Sequence, residues 1–211
     1  MFLKYCGFQN QKDVEQAIQN DIDAIGFIHY LKSKRHQSIS DIAQMTKIIP
    51  DSIHKAAVVV NPTKAIVSRL INETNIDTIQ FHGHEDTALL RWCSKHYPNI
   101  QIYKALPADT HLAETIETYR AYTDLFIIDT PSIHYGGTGQ TFDWNQLKQL
   151  PDIPYLVAGG MDLEKIQAFE QLGIKAAGYD IASGIEQAGQ KDAQAMKTIS
   201  NYIKERDKND A

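Results

Sequence analysis

The sequence predicts a single-domain (β/α)8 barrel, the TIM-barrel class, from three observations. Eight short apolar, β-rich runs recur through the 211 residues. Longer segments with helical apolar period or helix-start residues separate them. Polar and reactive side chains collect at the C-terminal ends of the runs, where a barrel carries its chemistry. The spacing, roughly 20–30 residues, is what one strand, one helix and two loops occupy. A doubly wound open sheet is the alternative. It usually has fewer strands and a Gly-rich turn after the first, whereas Cys6-Gly7-Phe8-Gln9-Asn10 is no dinucleotide fingerprint.

In chain order the expected strands are residues 2–7, 24–30, 55–61, 78–83, 101–106, 125–130, 155–160 and 177–183. Ala56-Ala57-Val58-Val59-Val60 and Leu125-Phe126-Ile127-Ile128 are apolar almost throughout, as parallel strands covered on both faces are. Ser38-Ile39-Ser40-Asp41 starts a helix with the apolar stripe Ile42, Met45, Ile48 and Ile49. Pro62 stands as a first helical residue after an Asn61 cap, ahead of Ile66, Val67, Leu70 and Ile71. Residues 88–93 read as helix. Asp162 caps a helix over 163–172, and Gly173 closes it. The last helix covers about 192–206, with a charged tail expected to fray from about residue 204. Residues 1–211 are then one domain with no length for an appended module.

Hydrophobic residues make up 43% and charged residues 22%, the balance of a globular chain. A net charge of -5 gives no basic footprint, so nucleic acid is not an expected partner, although one cleft can still be cationic. No apolar run approaches the roughly 18–20 residues of a membrane span. Met1-Phe2-Leu3-Lys4-Tyr5-Cys6-Gly7 is too short and too quickly polar for a signal peptide. Two cysteines, Cys6 and Cys93, make neither a disulfide scaffold nor a structural zinc site, and the expectation is a reduced, cytoplasmic protein.

The strand ends carry the candidate chemistry. Cys6 ends the first strand, where it is either a small buried apolar residue or a thiolate reaching a substrate; Cys93, inside a helical stretch, fits the first reading. Asp129 ends the sixth strand, as a loop cap or as a carboxyl at the barrel mouth. Gly159-Gly160 before Met161-Asp162, and Ser183-Gly184 after the eighth strand, let backbone N–H groups approach an anion, and barrels often hold phosphate at these last two units. Asp180 suits a sugar hydroxyl or a local cap better than a phosphate. In Lys32-Ser33-Lys34-Arg35-His36, a solvated loop is the ordinary reading, and an Arg35 clamp on a carboxylate the functional one. Tyr135-Gly136-Gly137-Thr138-Gly139 is a flexible turn or a lid. His82-Gly83-His84-Glu85-Asp86 lacks a completing ligand set, so no metal is expected.

These same segments resemble the phosphoribosylanthranilate isomerase family, the barrel enzymes of tryptophan biosynthesis. Lys4-Tyr5-Cys6-Gly7 is similar to the family's K-I-C-G, with Tyr5 in place of an aliphatic residue. Gly26-Phe27 through Ser33-Lys34-Arg35 is similar to G-F then S-P-R, with Lys34 at the proline. Gln80-Phe81-His82-Gly83 parallels Q-L-H-G, and residues 135–144 match Y-G-G-T-G-x-T-F-D-W. Ala158-Gly159-Gly160 and Asp180 to Glu186 match A-G-G and D-x-S-S-G-V-E, with Ala182 at one serine; Gly189-Gln190-Lys191-Asp192 resembles G-x-K-D. The motifs occur in family order over nearly the whole chain.

The resemblance implies an Amadori rearrangement of N-(5-phosphoribosyl)anthranilate to 1-(2-carboxyphenylamino)-1-deoxyribulose 5-phosphate. It implies Asp129 as general acid and Cys6 as general base. Arg35, His82, Gly159, Gly160, Asp180, Ser183 and Gly184 would bind the substrate, with no cofactor and no metal. The partner would be a small phosphosugar, and the protein a monomer or homodimer. On ordinary reference values, a thiol of pKa about 8.5 is roughly one-tenth thiolate near about pH 7.5, a cost of about 1.4 kcal/mol. A carboxyl of pKa about 3.9 is protonated in roughly one molecule in 4,000, a cost of about 5 kcal/mol. The acid role thus asks more of the site. The alternatives are another phosphosugar isomerase or epimerase barrel, with an aspartate at Cys6 or metal ligands at several strand ends, and a non-catalytic phosphate-binding barrel.

Overall fold

The computed structural model describes residues 1–129 and 144–209. Eight parallel strands pair in sequence order and close into a barrel: β1 (Phe2–Cys6), β2 (Ala24–His29), β3 (His54–Val59), β4 (Thr78–Phe81), β5 (Gln101–Pro107), β6 (Leu125–Asp129), β7 (Tyr155–Ala158) and β8 (Gly178–Ile181). β1 pairs with both neighbours, and Lys4 stands opposite Ala24 on β2 and Asp180 on β8. α1 (Gln11–Ala17), α2 (Ile39–Thr46), α3 (Lys64–Glu73), α4 (Thr87–His96) and α5 (Leu112–Tyr119) follow β1 to β5. The described part of the β6–β7 connection carries a 3-10 helix, Trp144–Gln149. α6 (Leu163–Gln171) follows β7, and α7 (Ala193–Asn209) follows β8 after a small antiparallel ribbon, β9 (Glu186–Gln187) with β10 (Gln190–Lys191). Among the described residues no helix is long and apolar enough to cross a membrane.

Strand alternation divides the interior in two. Leu3, Tyr5, Ile25, Phe27, Ile79 and Phe81 belong to the large cluster between strands and helices. Tyr103, Ala105, Leu125, Ile127, Leu156 and Ala158 form a separate cluster that fills the barrel itself. Burying a Leu, Ile or Phe contributes about 1.5–3 kcal/mol each, so both layers favour closure. The same parity turns Lys4, Cys6, Asp129 and Asp180 inward.

Most strands stop before their expected ends, because the backbone leaves the β region there. Gly7, Asn61, Gly159 and Gly160 have φ of 83, 46, 95 and 67. Such left-handed values break the ladder just where the site begins. The Asn61 cap expected for α3 is therefore wrong: Asn61 belongs to the turn, and the Thr63 side chain caps the helix by accepting from Ile66 N. Ser38 caps α2 with Asp41 closing a capping box, worth about 1 kcal/mol; the helix ends at Thr46, short of Ile48 and Ile49. Asp162 caps α6 as expected. α7 continues to Asn209, beyond the start expected for a frayed tail. Lys204 is tied down by Asp23 Oδ2 at 3.0 Å and by the Met1 carbonyl.

Candidate active site

Cys6 is the last residue of β1 and its side chain is buried at 6% exposure, yet its neighbours are charged rather than apolar. Lys4, two residues back on the same face, is wholly buried and donates to Asp180 Oδ1 at 2.8 Å. Burial pushes the Cys6 thiol up; Lys4 pulls it down, Asp180 pushes it up and Lys191 pulls it down, and the net direction is upward. Burial thus works against a thiolate at this position, and the cations Lys4 and Lys191 work for it. Cys93 is the inert kind: it is fully buried in α4.

Asp129 ends β6 with its side chain 47% exposed, and its Oδ2 lies 3.7 Å from His82 Nε2. His82 follows β4, and its Nδ1 lies 3.3 Å from Gln80 Nε2. Gln80, His82 and Asp129 thus form a polar line across one side of the mouth. A cavity of about 420 Å³ adjoins it, lined in part by His82, Lys104, Pro107, Asp109, Tyr119 and Asp129. Cys6 and Arg35 are outside that lining.

The two small-residue turns meet. A Cβ on Gly184 would sit 1.9 Å from the Met161 carbonyl oxygen, so the Ser183–Gly184 turn packs directly on the segment after Gly159-Gly160. Both turns lie at the same rim. Asp162 caps α6 there, and Lys165 Nζ donates to the Gly160 carbonyl and lies 3.2 Å from Asp162 Oδ2, offsetting the aspartate's charge. Exposed N–H groups of turns with left-handed residues are the chemistry that holds a phosphate.

Arg35 is engaged already. Its Nε and Nη2 donate to Glu186 Oε1 and Oε2 at 2.7 and 2.6 Å. Lys191 Nζ joins them, donating to Glu186 Oε1 at 2.8 Å, to the Cys6 carbonyl at 2.7 Å and to the Ala182 carbonyl at 3.0 Å. Glu186 is held below the usual carboxylate range: burial raises it, and hydrogen bonds from Arg35 and Lys191 outweigh that. This knot binds the end of β1 to the loop after β8 and orients Arg35.

Glu85 and Lys104 form a second buried pair, 3.0 Å apart. Glu85 Oε1 also accepts from Asn61 N at 2.9 Å and Gly83 N at 3.0 Å, so it fixes the turn that carries His82. Strand parity turns Lys104 toward the helices, where its ammonium lies over the Tyr119 ring at one wall of the cavity. The sequence does not mark Lys4, Glu85, Glu186 and Lys191 as working residues. Strand parity offers a signal for Lys4, which shares a face with Cys6. For Glu85 no local signal exists. The 135–143 motif and Thr130 lie outside the described residues. Among the described residues no group of three or more His, Cys, Asp or Glu is arranged to hold a metal ion.

Comparison with known proteins gives this geometry a family. Residues 3–202 match the family model for N-(5'phosphoribosyl)anthranilate (PRA) isomerase. The N-(5'-phosphoribosyl)anthranilate isomerase of Staphylococcus carnosus (strain TM300) is 62% identical over 204 residues, 97% of this chain and 98% of the relative. That of Staphylococcus aureus (strain Mu3 / ATCC 700698) is 50% identical over 204 residues, 97% of each chain. The solved phosphoribosyl anthranilate isomerase of Thermotoga maritima is similar at a TM-score of 0.81 and 26% identity, covering 97% of this chain and 100% of that one. Monomers generated from that organism's dimeric enzyme show the same fold at a TM-score of 0.78 and 23% identity, covering 97% of this chain and 99% of theirs. The match runs from β1 into α7, and the chain belongs to the N-(5'-phosphoribosyl)anthranilate isomerase family.

Proposed function

We propose that this isomerase of tryptophan biosynthesis works through Cys6 and Asp129, on a substrate held by Arg35, His82, Gly159, Gly160, Asp180, Ser183 and Gly184. The observation that carries this is the inward projection of Cys6 and Asp129 from the C-terminal ends of β1 and β6 in one closed barrel. Asp129 donates a proton to the furanose ring oxygen as the C1–O bond breaks, and the anthranilate nitrogen's lone pair forms the iminium. The Cys6 thiolate removes the C2 proton, and the C2–H electrons move into C1–C2 to give the enolamine. Tautomerisation moves the hydroxyl proton to C1 and leaves the C2 ketone. Proton transfers account for every step; a turnover leaves Asp129 ionised and Cys6 protonated, and exchange of one proton with solvent at each residue restores the acid and the base.

The phosphate is assigned to the two joined turns, and the anthranilate carboxylate to Arg35. Asp180 is assigned to a ribose hydroxyl. Residues 1–211 are taken as one catalytic domain, working as a monomer or a homodimer; the Thermotoga maritima relative is dimeric. Cys6 and Cys93 are both free thiols, as a reducing compartment leaves them, and the cytoplasm is the compartment proposed. The test is the loss of anthranilate-type fluorescence when purified protein meets fresh phosphoribosylanthranilate, with and without chelator. Turnover unaffected by chelator supports the reading; no turnover, or turnover abolished by chelator, overturns it.

A further inference from the structure

We propose that Lys4 is a positioning residue for the base, its buried ammonium held by Asp180 on one side and set against the Cys6 sulfur on the other. This rests on Cys6 being the base. Lys4 and Cys6 leave the inward face of β1 two residues apart, and the lysine hydrogen-bonds Asp180 at 2.8 Å. Opposite them, β2 contributes Gly26, and a Cβ there would stand 2.6 Å from Cys6 Sγ and 3.1 Å from Lys4 Nζ. Sulfur and ammonium both border the space that a side chain there would fill.

Among the described residues, the charged groups facing Cys6 are Lys4 on β1, Asp180 on β8, Lys191 on β10 and Arg35 after β2. Lys191 and Arg35 are both bound to Glu186, and Lys191 reaches the Cys6 carbonyl rather than contacting the sulfur in a hydrogen bond. Lys4 is the cation that shares the inward face of β1 with the thiol and borders the same space over Gly26. Burial opposes its charge, but Asp180 and then Cys6 outweigh burial and hold its proton above the ordinary lysine range, so it is an ammonium throughout the working pH range. A buried ion pair adds little net stability over an apolar pair of similar volume. A fixed positive charge against a sulfur, in contrast, favours the thiolate.

The test uses the full chain in a Cys93→Ala background, so that Cys6 is the sole thiol. Thiolate ultraviolet absorbance is titrated against pH, with a Cys6→Ser protein subtracted, and kcat/KM is followed over the same range. Lys4→Gln keeps a donor for Asp180 and removes the charge. Its Cys6 midpoint is expected to rise by about 1–3 pH units, the effect of losing an adjacent opposite charge. The acid limb of kcat/KM should rise with it, a loss of tenfold or more at neutral pH, and Lys4→Arg should recover most of both. If Lys4→Gln does not fold, Lys4→Met with Asp180→Asn leaves no orphaned charge, and its midpoint should still exceed the parent's. An unmoved midpoint in a folded variant overturns the proposal. A midpoint that moves while the kcat/KM limb stays fixed overturns Cys6 as the base, and with it any part for Lys4 in turnover, while leaving the Lys4–sulfur contact standing.

Discussion

Arg35 lies flat against Glu186, with both carboxylate oxygens accepting from its guanidinium at 2.7 and 2.6 Å. A residue proposed to bind the substrate's carboxylate is thus pre-oriented by a carboxylate of the protein. Glu186→Gln should loosen that orientation. The expected result is a KM raised about tenfold, equivalent to about 1.4 kcal/mol of binding, with a smaller change in kcat. Arg35→Ala should raise KM at least as much, and equal wild-type affinity for a decarboxylated substrate analogue would argue against the carboxylate contact.

Glu186 also sets an acid limit on stability. Its carboxyl is held below its ordinary value of 4.5, so its contribution is complete above that pH and is lost as pH falls through the lowered native value. Melting temperature should therefore drop more steeply below about pH 4.5 in the parent than in Glu186→Gln. Parallel acid limbs in the two proteins would show that the carboxylate is not linked to folding in this way.

Asp129→Asn keeps the shape of the β6 end and removes the proton to be donated. Turnover should fall by about 10²–10⁴, the usual contribution of one general acid, while the affinity for product changes little. Stopped-flow turnover and product titration separate the two quantities. Substantial residual turnover would exclude the acid role.

Gly184→Ala tests the joined turns. The added methyl would sit 1.9 Å from the Met161 carbonyl oxygen and 2.8 Å from its carbon, backbone atoms that cannot swing aside as a side chain can. The two turns must separate, and competitive inhibition by inorganic phosphate should weaken about tenfold or more, about 1.4 kcal/mol. Unchanged inhibition would move the phosphate elsewhere.

Lys104→Met leaves Glu85 buried without its cation. Breaking such a pair costs about 3–5 kcal/mol, and chemical denaturation should show a loss of that order. His82 rides on the same turn, so KM should rise in whatever fraction remains folded. A loss below about 1 kcal/mol would mean that solvent reaches Glu85 and screens it.

Much of this was legible in the residues. The eight apolar runs, the helix starts at Ser38 and Asp162, and the reactive residues at the strand ends all report local chemistry, which a linear pattern carries. Asn61 illustrates the limit of local chemistry, because an asparagine before a proline is a good cap and an equally good left-handed turn residue. The choice went to Thr63, whose hydroxyl reaches Ile66 N. Counting places Cys6 and Asp129 at the rim, and the roles proposed for them rest on the resemblance of the motifs around them.

The sequence by itself determined the barrel, the order of its strands and the family pattern, because period and capping act over a few residues. The tertiary structure alone decided which charges meet. Lys4 lies 176 residues from Asp180, and Arg35 lies 151 from Glu186. Closing β1 onto β8 brings both pairs to one end of the first strand, and no local rule specifies a partner across the closure.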